Sequence, residues 1–174
     1  MGIREHSRRR NFASIIPFRG LEDCRYSTSP ERRCTKDWPA RTPMDLRILI
    51  VDDSATMRHI TATIVGSQPG WTVCGEAEDG LSGIQKFQEL KPDLVLLDFG
   101  MPGINGIETA SWMSIANPTV PIILFTVWES EGLARAAAKA GIYALVRKSE
   151  AWTLLARIES AFAQKYKKYK EIVQ

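Results

Sequence analysis

Short apolar runs recur from residue 46 onward, and four of them stop on a reactive polar residue. Leu46, Ile48, Leu49, Ile50 and Val51 lead to Asp52 and Asp53, and Leu94, Val95, Leu96 and Leu97 lead to Asp98. Ile122, Ile123, Leu124 and Phe125 lead to Thr126; Tyr143, Ala144, Leu145, Val146 and Arg147 lead to Lys148. Runs this short and this apolar predict buried strands of a parallel sheet. Residues 71–77 supply a fifth strand.

The stretches between them carry helical periodicity. Met57, Ile60, Ile64 and Val65 recur at helix spacing over residues 54–67, and Pro69-Gly70 ends that helix. Asp79 is placed to cap a second helix that turns Ile84, Phe87 and Leu90 inward and is followed by Pro92. A loop of residues 99–104 leads to a third helix over 105–116, with Pro118 and Pro121 bracketing the turn that follows. A fourth helix over 129–140 stops at Gly141, a natural residue just past a helix end, and a fifth spans 150–166. This strand–helix alternation predicts a (βα)₅ domain. Right-handed crossovers then make it a three-layer sandwich, with helices on both faces of a central five-stranded parallel sheet.

In an open α/β sheet, ligands bind just beyond the carboxyl ends of the strands. Three carboxylates, a hydroxyl and an amine therefore reach one rim. Asp at a strand end often only caps the next helix, and one Asp would meet that need. Two adjacent, beside a third from another strand, repel one another unless a cation holds them. Oxygen ligands around a hard ion are what Mg²⁺ takes. Asp98, central in the set, is the best-placed nucleophile for phosphoryl capture, a reaction that relies on positioning and charge neutralisation. Lys148 supplies positive charge, and Thr126 donates a hydrogen bond to a phosphoryl oxygen.

Charge separates the front of the chain from the rest. Residues 1–43 hold ten Lys/Arg against five Asp/Glu, whereas residues 44–174 hold thirteen against fifteen. The front segment shows no sustained period and contains Pro17, Pro30, Pro39 and Pro43, so it is expected to be a disordered basic extension. Met44 stands immediately before the first strand and is read as a candidate alternative start of translation. The expected domain is 44–166, followed by a lysine-rich tail over 167–174. Cys24, Cys34 and Cys74 form no CxxC pair and point to reduced thiols in a cytoplasmic protein. No apolar run approaches the roughly 20 residues of a membrane span.

Val51-Asp52-Asp53-Ser54, the stretch from Leu97 and Asp98 through Met101, Pro102 and Gly103 to Gly106, Thr126 and Lys148 together resemble the receiver domain of two-component response regulators. The likeness runs from Leu46 to Phe162 and implies a flavodoxin-like, stand-alone receiver. It implies that Asp98 accepts a phosphoryl group from a sensor histidine kinase or phosphotransfer protein. It also implies that Asp53, Asp98 and the main-chain carbonyl of Gly100 bind Mg²⁺ directly, with Asp52 acting through water. Thr126 and Lys148 then contact the phosphoryl group. Such a domain is a switch rather than an enzyme. With no DNA-binding segment following residue 166, its output is expected through a downstream protein or a homodimer, and without a membrane.

Three departures stand out. Ser149 follows Lys148 where receivers often carry a cis proline, so a looser last loop is expected. Leu145 occupies the switch position usually held by Tyr or Phe. Val127 is bulkier than the usual Ala or Gly after Thr126, and with Gly100 and Trp128 it is assigned to the pocket rim. A phosphatase of the haloacid-dehalogenase type would want Asp-x-Asp on its first strand, and a P-loop protein a glycine-rich turn there. A receiver-like adaptor that binds partners independently of phosphorylation is the other reading.

Overall fold

The computed structural model describes residues 45–173. The expected extension over 1–43 and the alternative start at Met44 lie outside the described residues. Five parallel strands, β1 (Leu46–Val51), β2 (Trp71–Ala77), β3 (Leu94–Leu97), β4 (Ile122–Thr126) and β5 (Ala144–Arg147), form one sheet in the order β2-β1-β3-β4-β5. The helices between them are α1 (Ala55–Gly66), α2 (Gly80–Leu90), α3 (Gly106–Ala116) and α4 (Glu131–Lys139), and α5 (Leu154–Val173) closes the fold.

Successive strand residues face opposite sides of the sheet, and both sides are covered. Ile48, Ile50, Leu94, Leu96, Ile123 and Phe125 pack beneath Val65 of α1 and Leu154, Ile158 and Ala161 of α5. Leu49, Val51, Val95, Leu97, Ile122 and Leu124 pack beneath Phe87 of α2, Met113 of α3 and Leu133 and Ala137 of α4. This two-sided burial is why the strands read as continuous apolar runs rather than as alternating ones.

Local polar chemistry sets the helix starts. Ser54, Asp79, Asn105 and Ser130 each accept a hydrogen bond from a main-chain N–H in the first turn, satisfying a donor the helix itself leaves unpaired. At Asn105 the cap is reciprocal, because Glu108 accepts from the Asn105 N–H at 3.0 Å. Gly141 follows α4 with φ +78°, where a side chain would be strained.

The structure departs from the periodic reading in three places. Ile60 faces outward and is 43 % exposed, while Thr61 is buried in its stead. Thr61 lies one helical turn from the buried Val65, so the inward stripe runs through a hydroxyl that hydropathy alone passes over. The fourth helix starts at Glu131 because Ser130, not an earlier residue, caps it. The segment after β5 is a 3₁₀ turn over Lys148–Thr153, with Glu150 at non-helical φ −115°, ψ 35°, and α5 begins only at Leu154. That loop, expected to be loose, carries bonds of its own: Thr153 Oγ1 donates to the Glu150 carbonyl at 2.9 Å, and Arg147 pairs with Glu150. The helix then continues to Val173, through residues read as a tail. On its inner side the Lys165 amine donates to the Asp93 carbonyl at 3.0 Å, fixing α5 against the foot of β3. Burial pushes that amine below its ordinary pKa, and Asp93 opposes the shift.

Candidate functional site

Strand register brings the reactive residues together. Val51 pairs with Leu97, so the next residues, Asp52 and Asp98, leave the sheet side by side. Thr126 pairs with Arg147, which puts Lys148 one step beyond the end of β4. The sheet therefore delivers Asp52, Asp98, Thr126 and Lys148 to one rim, and Asp53 joins them from the turn into α1.

Lys148 organises the buried charge. Its amine lies 2.7 Å from Asp52 Oδ2 and 3.1 Å from Asp98 Oδ1, with little of any of the three side chains exposed. Asp52 Oδ1 accepts from the Ser54 N–H at 3.0 Å, and Asp98 Oδ2 accepts from the Gly100 N–H at 3.1 Å. Asp98 Oδ1 is buried and, despite the nearby amine, takes part in no hydrogen bond. Asp53 is exposed. One oxygen from each of Asp52, Asp53 and Asp98 lies within 4.8 Å of the others, a spacing that suits a single cation. These residues fit Mg²⁺: the donor set is all oxygen, three carboxylates converge on one point, and the exposed side at Asp53 leaves room for water.

Burial, the largest influence, raises the Asp52 carboxyl above its ordinary pKa of 3.8; hydrogen bonding and attraction from Lys148 pull the other way. An acid whose pKa is raised by folding gives most stability when protonated. The metal-free protein is therefore expected to lose stability as pH rises from about 3.8 through the raised value. Asp52→Asn should flatten that part of the profile. Urea midpoints of wild type and variant, compared across this interval without Mg²⁺, provide the check; parallel profiles would contradict it.

The remaining sequence-derived residues take up distinct places. Thr126 is fully buried, and its Oγ1 accepts from the Trp128 N–H at 3.2 Å. Leu145 is half-buried against the core on the α4 side of the sheet. Val127 is 68 % exposed, so its bulk is turned largely to solvent. Trp128 stands against Gly100: a Cβ built on that glycine would sit 3.2 Å from the indole Nε1 and 3.7 Å from Asp98 Oδ2.

Two residues given no role from the sequence belong to the site's frame. Gly106 closes the loop after β3, its N–H donating to the Phe99 carbonyl at 3.0 Å, and a Cβ there would lie only 2.2 Å from the Asp98 carbonyl oxygen. Its place in the motif was visible, but the reason for a glycine was not. Arg58 reaches back from α1 to the Asp52 and Asp53 carbonyls, and its spacing from Asp53 was the available signal.

Residues 48–159 match the family model described as the response regulator receiver domain. The chain belongs to that family. Its receiver domain is 38 % identical over 98 residues to chemotaxis protein CheY of Thermotoga maritima, covering 56 % of this chain and 81 % of the relative. It is 44 % identical over 89 residues to a protein-glutamate methylesterase/protein-glutamine glutaminase of the same organism, covering 51 % of this chain. Such methylesterase relatives are matched over only about a quarter of their own length, 26 % in this case. The solved response regulator domain of Thermotoga maritima CheB superposes with a TM-score of 0.64 at 33 % identity, covering 68 % of this chain and 97 % of that one. The receiver's general role is phosphoacceptor signalling, and this sheet and its five flanking helices are the flavodoxin-like form of the fold. Among the described residues, no helix is long and apolar enough to cross a membrane.

Proposed function

We propose that this protein is a cytoplasmic phosphoacceptor switch. Asp98 accepts a phosphoryl group from the phosphohistidine of a sensor histidine kinase or phosphotransfer protein, and the new state is passed on by protein–protein contact. The observation that carries this reading is the convergence of three carboxylates, with one oxygen each of Asp52, Asp53 and Asp98 within 4.8 Å of the others, around a buried Asp98 whose Oδ1 lies 3.1 Å from the Lys148 ammonium.

In the reaction, an Asp98 oxygen forms a bond to phosphorus as the bond between phosphorus and the donor imidazole breaks. Mg²⁺ supplies the charge that makes the approach of two anions feasible. Asp53, Asp98 and the Gly100 carbonyl would hold it directly. Asp52 would act through water, in keeping with the engagement of its two oxygens by Ser54 and Lys148. Lys148 follows the phosphoryl charge, and Thr126 turns its hydroxyl toward it. Leu145 fills space vacated by Thr126 without a ring hydroxyl to report the move, so a modest switch is expected. The output face combines α4, β5 and α5. On it Arg147 is paired with Glu129 at 2.8 Å and Arg135 with Glu131 at 3.6 Å, while Trp152 is 76 % exposed. Charges already paired within the chain weaken the drive toward a homodimer and favour a downstream protein that buries Trp152.

Incubation with acetyl phosphate and Mg²⁺, followed by intact-mass measurement, tests the proposal. One added phosphoryl group is expected, and none when the metal is chelated before acetyl phosphate is added. An unmodified mass under all conditions would overturn it and leave the adaptor reading. A second expectation concerns the lifetime of the modified state. With Trp128 set against Gly100 beside Asp98 and expected to limit the approach of water, Trp128→Glu combined with Gly100→Asn should speed phosphoryl loss several-fold. Equal decay in variant and wild type would remove both residues from control of water access.

A further inference from the structure

The Asp52-Asp53 main chain is gripped from behind by a single side chain. Arg58 is the fourth residue of α1, and its Nη1 donates to the Asp52 carbonyl at 2.9 Å and to the Asp53 carbonyl at 3.3 Å. Its Nε lies 3.4 Å from Glu76 Oε2 on β2, and only 16 % of its side chain is exposed. Ser54 adds a bond within the same turn, from its own N–H to Asp52 Oδ1. The guanidinium thus joins the acidic turn, the helix that follows it and the neighbouring edge strand, while engaging Asp52 and Asp53 through their carbonyls rather than their carboxylates.

This arrangement answers a physical problem. Adjacent Asp residues at a strand end repel each other and the third carboxylate, and among the described residues the exposed Asp53 carboxylate takes part in no hydrogen bond or ion pair. Position must come from the backbone. A planar guanidinium suits that task, because its fixed fork can engage two carbonyls and a carboxylate at once, as an ammonium cannot. Glu76 balances the charge of Arg58, so the contribution is one of geometry more than of field.

We propose that Arg58 is a positioning residue for the metal site, setting Mg²⁺ affinity by holding the Asp52 and Asp53 carbonyls so that the Asp53 carboxylate faces Asp98. The proposal rests on the Mg²⁺-dependent reading above. Residues that orient ligands without touching the metal commonly govern affinity by about 10–100-fold.

Calorimetric titration of the full chain with Mg²⁺ alone, together with thermal melting of the metal-free protein, tests it. Arg58→Met is expected to weaken Mg²⁺ binding about tenfold or more, with metal-free melting nearly unchanged. Arg58→Lys should recover only part of the loss, and Glu76→Gln, which frees the anchor, should show a smaller loss of the same kind. In the Arg58→Met background, Asp53→Asn should cost less than it does alone, because both act through one ligand. Wild-type Mg²⁺ affinity in Arg58→Met overturns the assignment; if that variant does not fold, wild-type affinity in Arg58→Lys overturns it. Absence of Mg²⁺ binding in the unaltered protein would instead defeat the underlying reading of the site.

Discussion

Asp98→Asn is expected to abolish phosphoryl acceptance while leaving the fold in place. The amide has nearly the shape of the carboxylate but is a poor nucleophile. Its oxygen can still accept the Gly100 N–H now bound by Asp98 Oδ2 at 3.1 Å. Lys148 keeps its shorter contact with Asp52, 2.7 Å, and one of three crowded carboxylates is gone. The metal-free variant should therefore be as stable as wild type or more so, since like charges held together oppose folding. Intact-mass measurement after acetyl phosphate treatment and urea titration of the metal-free protein provide the two readings. Equal labelling of variant and wild type would remove Asp98 from the centre of the site.

The parts of this molecule legible in the sequence are those where one residue does one job. Strand runs ending at Asp52, Asp98, Thr126 and Lys148 could be read because full burial on both sheet faces demands unbroken apolar sequence. Asp79 announced a helix start because an N-cap is a local requirement. What stayed hidden depends on through-space partners. Thr61 is buried on a helix face where Ile60 looked the better candidate, since hydropathy ranks the pair but helix phase decides between them. The 3₁₀ turn over Lys148–Thr153 follows from Lys148 having to turn back to two carboxylates, a demand set by the sheet's register rather than by local propensity. Strand order was equally silent, because periodicity says which residues pair inward but not which strands are neighbours. The grip of Arg58 on two carbonyls belongs to the same class: a surface-type residue whose role exists only after folding.

Lys148→Met should reveal how much of the site's stability depends on one amine. The ammonium is nearly buried between Asp52 and Asp98, and methionine can occupy much the same volume without charge. Removing it leaves two buried carboxylates uncompensated, and breaking a buried pair in this way usually costs about 3–5 kcal/mol. The loss here should fall nearer the lower end, about 3 kcal/mol, because Asp52 already holds its proton more readily than a free carboxylate and can neutralise itself. Two conditions should shrink the deficit: lowering pH toward the carboxylate range, which protonates the stranded groups, and adding Mg²⁺, which replaces the missing positive charge. Asp98→Asn introduced into the same background should recover part of the loss, since one of the uncompensated charges is removed. Mg²⁺ binding itself should persist, because an amine is not a ligand and its removal takes away a competing cation. The phosphorylated state, by contrast, loses the group that follows the added charge, so any partner docking driven by phosphorylation should weaken more than acceptance does. Urea titrations with and without Mg²⁺, at neutral and acidic pH, separate these effects. A variant as stable as wild type in the absence of metal would mean that the amine only fills space, and loss of Mg²⁺ binding would mean that it orders the carboxylates rather than merely neutralising them.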